Sequence, residues 1–255
     1  MRKLYERITG YFTRGELMLW GVSVLMVSGA FMLFDRRNLM ILLASLIGVT
    51  YLILSAKGNP LGQALGIVFS LLYGAISYSF AYYGEMITYL GMTMPMAAAA
   101  LISWLKNPFG GKRSEVTVGG ISRRETVFMC LLTAAVTAVF FFILRAFGTR
   151  NLLPSTISVT TSFLAVYLTF RRDPFFAAAY AANDVVLVIL WSLASAEDSR
   201  YIAVTVCFGV FLVNDIYTFI NWRRIKARQT AEIRRTQSLT HSPEEVIPAR
   251  ENVRQ

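Results

Sequence analysis

Eight apolar stretches dominate this chain, each near the roughly 20 residues that a helix needs to cross a bilayer. They run over about 16–34, 39–56, 61–82, 86–105, 125–147, 152–170, 174–195 and 200–222. Inside lipid every backbone N–H and C=O must find its partner within the protein, so such a chain folds as a bundle of helices. The third and fourth stretches are nearly continuous, broken only around Gly84-Glu85, and the count is therefore seven or eight. A soluble domain would carry about 25% charged residues. Here the share is 16%, against 55% hydrophobic residues. The expectation is an all-α membrane protein over 16–228. A basic segment, 1–15, precedes it, and a polar segment without apolar periodicity, 229–255, follows as a disordered cytoplasmic tail. The first stretch is too long for a signal-peptide core and lacks a small-residue cleavage site after it, so it is expected to remain in the protein.

The net charge of +10 is placed by topology. Lys57, then Lys106, Lys112, Arg113, Arg123 and Arg124, then Arg171 and Arg172, and finally Arg223, Arg224, Lys226 and Arg228 fall on one side of an eight-span arrangement. Asp35, Glu85, Glu197 and Asp198 collect on the other, with Arg36, Arg37, Arg145, Arg150 and Arg200 as the dissenting charges. Counted on Lys and Arg near the helix ends, this bias puts both termini in the cytoplasm, in a cell inner membrane. Basic residues at span ends suit anionic lipid and argue against nucleic acid as a partner.

Several chemistries are excluded by what is missing. The two cysteines, Cys130 and Cys207, lie within apolar runs without CxxC spacing, and the one histidine, His241, is in the polar tail. A His-ligated metal site and a His-based catalytic triad have no materials here. No metal, no cofactor and no enzyme activity is expected.

A weak internal repeat organises the spans. Ser103-Trp104-Leu105-Lys106 closes the fourth and Asn221-Trp222-Arg223-Arg224 the eighth. Pro60 and Pro174 open the third and seventh, and Tyr51 and Tyr167 sit in the second and sixth. The offsets of 118, 114 and 116 residues agree within small loop changes. Spans two to four (about 39–106) and six to eight (about 152–224) then form two parallel three-helix repeats, with 125–147 as linker helix. Transporters with such symmetry bind substrate near the midplane where the halves meet.

The dipeptide Asn-Asp occurs twice where a spanning helix should carry Leu or Val, at Asn183-Asp184 and Asn214-Asp215. Ionisable residues at such depth face a bundle interior or a solute path. Asn183 is nine residues from Pro174 and Asn214 eight from Trp222, so both lie roughly 12–14 Å from the basic membrane face. Two antiparallel neighbours thus present Asn at one level. Asn214, Tyr217, Thr218 and Asn221 share one helix face, as do Gln63, Ser70, Tyr73 and Ser77 on the third span. Amides, hydroxyls and aromatic rings suit a neutral or mildly cationic solute with a flat ring and sugar hydroxyls. The bland reading is that Asn, Ser and Thr tie helices together. For Asp184 and Asp215 a structural role, a proton or cation relay and direct ligand contact all stay open.

GNPLGQ (58–63), FSLLYGAISYSFAYYGEMITYLGM (69–92), AANDVVLVILW (181–191) and VNDIYTFINWRR (213–224) closely resemble the PnuC-type vitamin transporter family. The resemblance covers about residues 16–230. It implies a fold similar to the SWEET sugar transporters, two three-helix bundles with a linking helix, and the first span as an addition. It also implies nicotinamide riboside as substrate, facilitated diffusion, and trapping by a cytoplasmic kinase. Carried over by motif, the substrate-binding residues are Gln63, Asn183, Asn214, Trp191, Tyr217 and Asn221. Related members carry thiamine or riboflavin, so thiamine is the alternative vitamin, and proton coupling is the alternative mode. A membrane-embedded enzyme and a receptor subunit without flux are the readings from other classes. Association with further copies of the chain is left open.

Overall fold

In the computed structural model, residues 10–80 and 82–240 are described. Eight helices among them are long and apolar enough to cross a membrane. They are α1 (Arg14–Phe34), α2 (Leu39–Ala56), α3 (Pro60–Ser79), α4 (Tyr83–Lys106), α5 (Arg123–Ala146), α6 (Leu152–Arg171), α7 (Phe175–Ser195) and α8 (Ile202–Thr240). The count is eight, because α3 stops at Ser79 and α4 begins at Tyr83. A π-helical turn, Tyr89–Thr93, interrupts α4.

Local chemistry starts these helices where the sequence allows. At α1, Thr13 Oγ1 accepts from the Glu16 amide and the Glu16 carboxylate accepts from the Thr13 amide, a reciprocal capping box. Ser122 caps α5 in the same way through the Glu125 amide. Pro60 opens α3, where its missing N–H costs nothing.

Two findings revise the expected ends. Helix α8 runs on through Thr240, so residues 229–240 are helical, where a disordered tail was expected from 229. Tertiary contacts hold the first of these residues. Gln229 is buried, donates to the Glu115 carboxylate (2.7 Å) and the Val116 carbonyl (3.0 Å), and accepts from the Val118 amide (2.8 Å). Residues 241–255, the rest of that tail, and residues 1–9 of the basic segment lie outside the described residues. The other end is docked too: the Tyr11 hydroxyl accepts from Asn59 Nδ2 at 2.9 Å. The loop after α4 carries a small antiparallel hairpin, β1 (Pro108–Phe109) and β2 (Lys112–Val116).

Helices α2, α3 and α4 pack in sequence, as do α6, α7 and α8. The two sets meet through α2 against α8 and α4 against α6. Helices α1 and α5 are peripheral: 22% and 17% of their apolar windows are buried, against at least 50% for α2, α3, α6 and α8.

One turn recurs in both sets with the same hydrogen bonds, 114 residues further on. Between α2 and α3, Gly58 N donates to Ser55 O, Asn59 N to Leu54 O, and Leu61 N to Asn59 Oδ1. Between α6 and α7, Arg172 N donates to Thr169 O, Asp173 N to Leu168 O, and Phe175 N to Asp173 Oδ1. Gly58 (φ 67°) and Arg172 (φ 58°) hold the same left-handed position. Arginine is strained there where glycine is not.

Candidate functional site

Buried polar side chains gather where the two helix sets meet. A cavity there is lined by Tyr51 and Leu52 from α2, Gln63, Gly66, Phe69 and Ser70 from α3, and Tyr89, Thr93 and Ala97 from α4. The second set supplies Ser162 from α6, Tyr180, Asn183 and Asp184 from α7, and Phe208, Phe211 and Asp215 from α8. Each of these six helices contributes, and the peripheral α1 and α5 do not. No Lys or Arg is among the lining residues.

Gly66 permits the approach of Tyr51: a Cβ on Gly66 would lie 3.1 Å from the tyrosine ring. The π turn brings Tyr89 and Thr93 to the same wall as Ala97, a common location for such turns at functional sites. The space itself is about 40 Å³. That admits a few waters and not a vitamin, which needs several hundred. Helices must part for a solute to pass.

The expected site residues divide. Gln63 and Asn183 are buried in the cavity wall. Three hydroxyls of α6 converge on Asn183 Oδ1, from Thr161 (2.8 Å), Ser162 (3.1 Å) and Ser158 (3.3 Å). Gln63 Nε2 donates to Ser55 Oγ at 3.4 Å. Asn214 is turned away from Asn183. Its amide donates to Ser23 Oγ of α1 (2.9 Å) and Val210 O (2.8 Å), so the two asparagines do not face each other as expected. Adjacent helical residues point about 100° apart, and with Asn214 aimed at α1 it is Asp215 that reaches the cavity.

Trp191 lies in an aromatic layer beyond the cavity, away from the basic end. Its indole donates to Tyr73 Oη at 2.6 Å and packs against Tyr82 and Tyr201. Tyr217 and Asn221 stand at the basic end, along an open polar recess shared with Glu16, Lys57, Arg224 and Arg228. There Tyr217 donates to Glu16 (3.0 Å), which is 2% exposed and ion-paired with Lys57 at 3.0 Å. Asn221 donates to Ala56 O at 2.8 Å.

What converges instead is the acidic half of each dipeptide. Asp184 and Asp215 both line the cavity. Asp184 Oδ2, Asp215 Oδ1 and Thr93 Oγ1 are buried there without a protein partner. Buried polar atoms are nearly always paired, so such orphans mark a place where a ligand or water completes the bonding. Tyr180 escaped the sequence reading although it precedes Asn183 by three residues and Asp184 by four, a spacing that puts all three on one face. Tyr89 and Thr93 had no such signal, because the π turn resets the register of α4.

Eight helices long and apolar enough to cross a membrane, with a polar cavity at the seam of two matched helix sets, fit a multi-pass membrane transporter. The sequence model of one family, described as nicotinamide mononucleotide transporter, matches residues 38–224. The chain belongs to that family. Its relatives include the nicotinamide riboside transporter PnuC of Neisseria mucosa, 21% identical over 89% of this chain and 88% of the relative. The protein of the same name from Haemophilus influenzae is 20% identical over 73% and 80%. A crystal structure of the vitamin B3 transporter PnuC superimposes with a TM-score of 0.75 at 20% identity, over 86% of this chain and 94% of that one. At that identity the likeness concerns the fold.

Proposed function

We propose that this transporter carries nicotinamide riboside into the cell by facilitated diffusion. It sits in the inner membrane with both termini cytoplasmic, and a cytoplasmic kinase traps the riboside as its phosphate. The observation that carries this reading is the composition of the cavity wall. Amides of Gln63 and Asn183 and hydroxyls of Ser70, Thr93 and Ser162 match a carboxamide and ribose hydroxyls. The rings of Tyr51, Phe69, Tyr89 and Tyr180 match a flat heterocycle. The names of the two relatives support the same vitamin. The basic end, where Lys57 and Arg171 close α2 and α6, is the cytoplasmic one by the distribution of positive charge.

Uptake of labelled nicotinamide riboside into proteoliposomes tests the reading. Equilibration without a gradient is expected, with accumulation only when a riboside kinase and ATP are enclosed. Uptake of thiamine alone would replace the vitamin. Accumulation above equilibrium under an imposed proton gradient, without kinase, would overturn the passive mode.

A further inference from the structure

We propose that Asp184 and Asp215 together form the counter-charge of the cavity, and that they select permeants whose flat ring carries a fixed positive charge. The inference rests on the vitamin-transport reading and adds to it a role for the acidic pair. Both side chains are at least 95% buried, at 4% and 2% exposure, in the wall of the same cavity. One oxygen of each, Asp184 Oδ2 and Asp215 Oδ1, is without a partner.

The neighbours explain why the pair is left open. The α6 hydroxyls of Ser158, Thr161 and Ser162, the nearest rich source of donors, are spent on Asn183. At the basic end Lys57 pairs with Glu16 and Arg171 with Glu125, and no Lys or Arg lines the cavity itself. A carboxylate at this depth is costly unless a positive group meets it. Six aromatic side chains, Tyr51, Phe69, Tyr89, Tyr180, Phe208 and Phe211, line the same cavity. Ring faces and a carboxylate together are the surroundings in which a desolvated organic cation is most stable. A pyridinium riboside fits, because its charge is spread over a ring of the right shape.

The test compares two permeants of nearly one shape. Nicotinamide riboside has a cationic pyridinium ring; its 1,4-dihydro form is neutral. Initial uptake into proteoliposomes, corrected for protein-free vesicles, is measured for both with the wild type, Asp184→Asn and Asp215→Asn. The wild type is expected to prefer the cation by about tenfold or more, the size of a charge-assisted contact. Each Asn variant is expected to lose that preference, the cation slowing about tenfold while the neutral form stays within about twofold. A merely structural role would slow both permeants alike, and that outcome, or a wild type without preference, overturns the proposal. Should one variant fail to fold, the other decides by the same comparison. If the wild type carries neither permeant, the vitamin reading itself has failed, a result distinct from transport without charge preference.

Discussion

Trp104 and Trp222 meet with ring centroids 5.3 Å apart at the basic end of the bundle, though 118 residues separate them. Each is fully buried, and each indole reaches across to the other helix set. Trp104 Nε1 donates to Thr169 O of α6 at 2.9 Å, and Trp222 Nε1 to Ser55 O of α2 at 2.8 Å. Thr169 and Ser55 are the corresponding residues of the two recurring turns. The contact is reciprocal, and it ties the sets together below the cavity.

Trp222→Ala should therefore cost about 3–5 kcal/mol, the range for deleting a buried large aromatic side chain. Trp222→Phe should cost less, since packing is largely kept and one hydrogen bond of about 1 kcal/mol is lost. The same substitutions at Trp104 should behave alike. Thermal unfolding in detergent measures all four, and unequal effects at the two tryptophans would argue against reciprocal roles.

Asn183 and Asn214 should part company on mutation. Asn183→Leu removes the acceptor for three buried hydroxyls in the cavity wall. Riboside binding should fall more than tenfold, about 1.4 kcal/mol or more. Asn214→Leu removes a tie to Ser23 of α1, worth about 0.6 kcal/mol on average for such interhelical bonds. It should lower stability slightly and leave affinity nearly unchanged. Calorimetric titration of both purified variants checks this, and equal loss of binding would return Asn214 to the site.

The Glu16–Lys57 pair gives a third expectation. Lys57→Met leaves Glu16 buried without its cation, and should destabilise by about 3 kcal/mol or more. Adding Glu16→Gln to Lys57→Met should recover part of that loss, because the uncompensated charge is gone. Unfolding midpoints of the two single variants and the double variant decide, and a double variant worse than Lys57→Met would refute the argument.

Gln229 fastens the extended end of α8 to the hairpin loop. Gln229→Ala leaves the half-buried Val118 amide without its acceptor and should cost about 1 kcal/mol. Hydrogen exchange at Val118 should accelerate, while exchange in α3 and α7 stays as it was. Unchanged protection at Val118 would mean that the loop is held by other contacts.

Much of the bundle is legible in the chain. The Pro60 and Pro174 openings, the Trp104 and Trp222 closings and the apolar lengths locate helices because lipid permits little else. The end of α8 was not legible, since residues 229–240 lack apolar periodicity and are helical where Gln229 finds buried partners. The site was legible in kind but not in detail. Gln63, read from the polar stripe of the third span, and Asn183, read from its depth, both line the cavity. Asn214, Tyr217, Asn221 and Trp191 were grouped with them, yet the structure distributes these four over α1, the basic-end recess and the aromatic layer.

The chain by itself determined seven or eight spans, their alternating direction and the depth of the two Asn-Asp pairs, because the membrane imposes length and rise per residue on any sequence; the break between Ser79 and Tyr83 made the count eight. That both Asn183 and Asp184 face the cavity, but only Asp215 of the second pair, depended on the rotation of α7 and α8 about their own axes. That rotation is settled by packing: Ser23 on α1 draws Asn214 outward, and the step of about 100° to the next residue turns Asp215 inward to the cavity.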